Sequence, residues 1–241
     1  MINPLTELRG FARAALVVPV TRDHTETDWA FRRRRIVSAL TLVLGAITMT
    51  WALRIQPGDN TFYVATFALA VVWAGGALLS GPLHLGRAHR RTGGAAARPV
   101  VQSLALGVLI LAIFLLGALV VSHIPFLRDP VERLLDHARL GSLPLVALIT
   151  AVNGVAEELY FRGALYAAIG RRHAVTVTTV VYALTTLGPG IPLLVLAAGV
   201  LGLVTGLQRR VTGGILGPII THLTWSLGML LLLPVTLQIG T

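Results

Sequence analysis

The chain has no cysteine, and all 20 of its basic residues are arginine, none lysine. The first absence excludes disulfides, thiolate nucleophiles and cysteine metal sites. The second excludes Schiff-base and lysine-base chemistry. Charged residues are scarce, at 12% of 241 positions, about half the soluble norm. A net charge of +10 remains, but the arginines sit in short segments beside apolar runs, a pattern of membrane orientation that argues against a nucleic-acid partner. What is abundant is apolar: 55% of the residues are hydrophobic. This composition predicts an all-α polytopic transmembrane helical bundle of about 7–8 spans, each near 20 residues.

Residues 1–35 read as a basic amino-terminal arm on the cytoplasmic side, ending in Arg32, Arg33, Arg34 and Arg35, with a surface helix from Leu5 to Val18. The first apolar span starts near Ile36, which fits a retained helix and not a cleaved signal. Further spans fall at about 61–80, 100–121, 143–169, 174–187, 191–207 and 213–235. The span at 174–187 is too short to cross upright, and an eighth helix arises if 143–169 breaks. Residues 36–140 therefore hold three spans and their loops, and 141–241 the remaining core. Within the first part, "RTGGAAARP" reads as a flexible connection and "RDPVERLLDHAR" as an interfacial helix with apolar residues at helical spacing. Fifteen of the 20 arginines alternate onto one side when the amino terminus is inside, as the positive-inside rule asks.

The octapeptide "AEELYFRG", residues 156–163, places three ionisable groups inside an apolar span. A lone charge there costs about 2.5–3.5 kcal/mol to insert. Successive helical residues differ by about 100°, so Glu157 and Glu158 face different ways. Glu158 stands four residues before Arg162, the favourable order for an ion pair. Glu157 has no such cation; Asn153, one turn earlier, is its expected hydrogen-bond partner, and a carboxyl so placed suits acid–base work. The structural alternative is that all three groups are polar glue between helices. Six histidines, His24, His84, His89, His123, His137 and His173, fall in the arm, in loops or near span ends, where solvated roles are expected. Only His222 lies deep in a span, with Ser226 one turn later.

At these residues the chain resembles the CAAX protease and bacteriocin-processing family (CPBP, or Abi) of intramembrane proteases, which includes the Rce1-type CAAX endopeptidases. "EELYFRG" matches the family's Glu-Glu-x-x-x-Arg, and "VVYALTTL" and "GVLGLVTGLQRRVTGGILGPIITHLTWSL" are similar to its later motif-bearing helices. The likeness spans about 143–233. It implies that Glu157 is the base that activates water and that Glu158 and Arg162 are a structural pair. It also makes His222 the surviving member of a His-x-x-x-Asn oxyanion motif, and Asn153, Tyr160, Tyr182, Thr186 and Ser226 the lining of the cavity. Two positions depart from the family. Thr186 stands where Phe-x-x-x-His has its histidine, and Ser226 where the asparagine belongs. Loss of one acid–base group costs about 10²–10⁴ in rate and loss of an oxyanion donor about 10²–10³.

The expectation is a catalytically degenerate member, kept as a scaffold or accessory subunit of a larger complex, such as a transporter or envelope assembly, in a bacterial inner membrane. The alternative is an active glutamate-dependent endopeptidase cutting membrane-proximal peptides; a third reading is a proton-linked carrier using Glu157. No cofactor is expected. No metal is expected either, because zinc needs about three protein ligands and Glu158 is committed to Arg162.

Overall fold

The computed structural model describes residues 4–21, 25–88, 97–170 and 172–239. His24, His89, Arg90, Arg91, Arg171 and most of the "RTGGAAARP" connection fall outside them. The elements in order are α1 (Pro4–Leu16), α2 (Asp28–Ala52), α3 (Thr61–Ser80), α4 (Val100–Val121), α5 (Pro125–Arg139) and α6 (Leu143–Glu158), followed by a π-helical stretch (Leu159–Leu165), α7 (Tyr166–Ile169), α8 (Ala174–Thr185), α9 (Pro192–Thr212) and α10 (Leu216–Ile239). Among the described residues there is no strand, only an isolated bridge between Ala88 and Ala97.

Among the described residues, six helical segments are long and apolar enough to cross a bilayer: α2, α3, α4, the continuous run Leu143–Ile169, α9 and α10. Their outer faces carry exposed Leu40, Val43 and Ile47 on α2 and Val101, Ile113 and Leu116 on α4, surface that only a lipid environment tolerates at this density. The protein is a polytopic helical bundle of the membrane. The remaining apolar helix, α8, has 12 residues, about 18 Å at 1.5 Å per residue, and packs as a short partner of α9. The 143–169 segment does not break into two helices; it runs on through the π turn, which absorbs the irregularity in place.

Local sequence explains the ends. Thr27 caps α2 by accepting from the Ala30 amide (3.3 Å), and Asp28 complements the dipole in the first turn. The helix therefore begins ahead of the four arginines that were expected to close the arm. Arg34 is buried and bonds to Glu26, to Ser80 Oγ (3.3 Å) and to the Pro82 carbonyl (3.2 Å), joining the start of α2 to the end of α3. The segment after α1 is tied to the end of α9 by the Val20 amide on the Val211 carbonyl (2.9 Å). Helix α5 covers "RDPVERLLDHAR" but starts earlier, at Pro125, and sets Leu135 against Ala118, Leu233 and Leu237.

Helices α2 and α3 close on glycine. A Cβ at Gly45 would fall 2.2 Å from the Trp73 indole, and one at Gly76 2.1 Å from Thr41 Oγ1, so only glycine permits this approach. The core between them holds Met49, Trp73, Ala77, Tyr160, Phe161 and Ala164. In the Gly199-x-x-Gly202-x-x-x-Gly206 row, Gly202 and Gly206 lie against Tyr182, Thr179 and Val175 of α8, whereas Gly199 meets nothing within 4 Å. His137 departs from its expected solvated role: it is buried, its Nε2 is 3.1 Å from the Ile55 carbonyl, and its ring lies 4.0 Å from that of Phe62.

Candidate active site

The last turn of α6 sends its two carboxylates in different directions. Glu158 is fully buried and its Oε1 receives two partners, Arg162 Nη1 at 3.1 Å and His222 Nδ1 at 2.8 Å. The Arg162 contact is electrostatic and not aligned as a hydrogen bond, since all three guanidinium nitrogens lack a hydrogen-bond acceptor. The guanidinium lies instead over the ring of Tyr182, 4.7 Å from its centroid, which supplies cation–π attraction. His222 comes from α10. Because a carboxylate only accepts, Nδ1 carries the proton, and in the neutral ring Nε2 is then left as an acceptor. A Cβ at Gly154 would crowd Leu223 Cδ2 at 3.0 Å and meet the His222 ring only in ordinary contact, at 3.7 Å.

Glu157 faces a different neighbour. Its Oε2 accepts from the Tyr182 hydroxyl at 2.5 Å. Asn153, the expected partner, is turned away: its Nδ2 donates to the Thr66 and Ile149 carbonyls, both at 3.1 Å. Packing of α6 on α3 brings the Thr66 carbonyl within reach, and that acceptor wins.

These groups border a cavity of about 180 Å³ between α2, α6, α8, α9 and α10. Asn153, Glu157, Tyr182, Thr186, His222 and Ser226 all line it, with Met49, Leu53, Leu194 and Leu201 as apolar wall. It is smaller than the roughly 300–1,000 Å³ of typical ligand pockets. Thr186 closes α8, and its hydroxyl donates back to the Ala183 carbonyl at 2.8 Å. Ser226 Oγ is buried with no hydrogen-bond partner. Tyr160 does not line the cavity as expected. It is wholly buried behind it, stacked on Trp73 at 4.6 Å with its hydroxyl on the Ser38 carbonyl at 2.6 Å. Near the start of the π-helical stretch, its side chain points toward α2 and α3. Among the described residues no cluster of three or more His, Cys, Asp or Glu is arranged to hold a metal ion.

Two polar groups escaped the sequence reading. Gln208 donates to Ser103 Oγ (2.8 Å) and accepts from Thr221 Oγ1 (3.0 Å), joining α9, α4 and α10. An amide inside an apolar, glycine-spaced helix was the available signal. Arg209, counted only among the arginines on one side of the membrane, is buried and its Nε donates to the Arg162 carbonyl at 2.7 Å. Its position at a helix end masked it.

The site is thus a buried Glu158–Arg162–His222 centre set beside a cavity that Glu157 and His222 line, inside a membrane helical bundle. Residues 139–228 match the family model described as type II CAAX prenyl endopeptidase Rce1-like. That match covers the carboxy-terminal core and supports its likeness to Rce1-type CAAX proteases. Searches of the curated proteins and of the solved structures return no match.

Proposed function

We propose that this is a non-proteolytic member of the family, retained as a scaffold or accessory subunit of a larger membrane complex. One observation carries it: both positions that would activate water are turned to other partners. Glu157 is held by the Tyr182 phenol at 2.5 Å, and Thr186 spends its hydroxyl on its own helix. A threonine hydroxyl has no imidazole-like basicity near neutral pH. The complex is of transporter or envelope type in a bacterial inner membrane, with the amino terminus cytoplasmic. Exposed Arg32, Arg33, Arg35, Arg87 and Arg210 gather at the end where α2 begins and α9 stops, which supports that orientation.

The experiment is multiple-turnover cleavage of a membrane-tethered peptide by the purified chain in nanodiscs. No turnover is expected. Cleavage that Glu157→Gln abolishes would establish the second reading, an active glutamate-dependent endopeptidase. That reading draws support from the intact Glu158–His222 contact, which leaves Nε2 as an acceptor beside the cavity.

A further inference from the structure

We propose that Tyr182 is a positioning residue that holds Glu157 out of the cavity's chemistry by bridging it to Arg162. The inference deepens the non-proteolytic reading and rests on it. The phenol does two things at once. Its hydroxyl donates to Glu157 Oε2 at 2.5 Å, and its ring face takes the Arg162 guanidinium at 4.7 Å. Glu157 is thereby connected to the Glu158–Arg162–His222 centre and, among the described residues, forms no salt bridge of its own.

The ring has little freedom to release its partner. Phe161 packs on it with centroids 4.6 Å apart, and on the other side it abuts α9 where Gly202 stands; a Cβ at Gly202 would come within 3.3 Å of Tyr182 Cδ1. The side chain is buried, with the cavity at its outer edge. Phenylalanine at this position would keep the ring packing and the cation–π contact and lose only the donor. Among the described residues, the Tyr182 hydroxyl is the donor that holds Glu157. Thr186, one turn further along α8, offers no replacement, because its proton is already on the Ala183 carbonyl.

The test is the reactivity of Glu157 toward dicyclohexylcarbodiimide, a lipid-soluble carboxyl reagent, in the full chain reconstituted in nanodiscs, with the adduct located by mass spectrometry. Tyr182→Phe should label Glu157 at least about tenfold faster than wild type, the scale of losing one charge-assisted hydrogen bond. A rate within twofold of wild type, or no Glu157 adduct in the variant, would overturn the proposal. A second measurement covers a variant that fails to fold. With ring-labelled tyrosine, the infrared C–O band of one of the four tyrosines should shift between wild type and Glu157→Gln, and an unshifted spectrum would refute the contact. Peptide cleavage by the wild type would remove the non-proteolytic reading, while labelling alone decides what Tyr182 does.

Discussion

Removing Arg162 tests whether the buried centre is held together by charge. Glu158 and Arg162 are both fully buried, 3.1 Å apart. In Arg162→Leu the carboxylate keeps only His222 Nδ1 at 2.8 Å, while its Oε2 already lacks a hydrogen-bond partner. Stranding one member of a buried pair costs about 3–5 kcal/mol, and the lost cation–π contact with Tyr182 adds about 0.5–2 kcal/mol. The double variant Glu158→Leu with Arg162→Leu strands no charge; what remains is an unpaired His222 N–H, worth about 1–3 kcal/mol. The single variant should therefore be less stable than the double by about 2 kcal/mol, roughly thirtyfold in the folding equilibrium. Reversible unfolding of the purified protein in mixed micelles, titrated with a denaturing detergent, reads this directly. A single variant as stable as wild type, or a double variant less stable than the single, would refute the electrostatic account.

Three further outcomes follow from the packing. Gly214→Ala places a Cβ 2.0 Å from the Gly86 amide nitrogen, backbone against backbone, and should cost at least about 3 kcal/mol; Gly199→Ala meets nothing within 4 Å and should stabilise by about 0.5–1 kcal/mol. Thermal melts in detergent compare the two. Gln208→Leu deletes the bonds to Ser103 and Thr221, and at about 0.6–1.7 kcal/mol per bond in a membrane should lower the unfolding midpoint measurably. In the connection after α3, burial and then the Arg209 and Arg34 charges hold the His84 imidazole below its ordinary value, with Glu26 opposing. The folded state therefore resists the proton. Stability should be full above the unfolded value near 6.5 and fall as pH drops through it toward the lower folded value. Melting curves of His84→Gln between pH 7 and pH 5 should lose part of that acid sensitivity; an unchanged slope would discount His84.

The sequence by itself determined whatever depends on composition or on one helix. Apolar runs of bilayer length specify the spans, and a spacing of four residues brings Glu158 to Arg162, because both are local properties of a chain that must satisfy its own backbone in lipid. Asn153, Tyr182, Thr186 and Ser226 were named as bordering the cavity from the family resemblance, and helical phase alone does not bring them together. Partners drawn from other helices were not readable in the sequence. Tyr182 reaches Glu157 from 25 residues away and His222 reaches Glu158 from 64, while Asn153 turned to a carbonyl on α3 and Tyr160 to one on α2. Those choices follow from how closely and at what angle helices cross, which Gly45, Gly76, Gly154 and Gly202 set by the side chains they omit. Only the tertiary structure decided them, since a residue's angle around its own helix says nothing of what stands opposite.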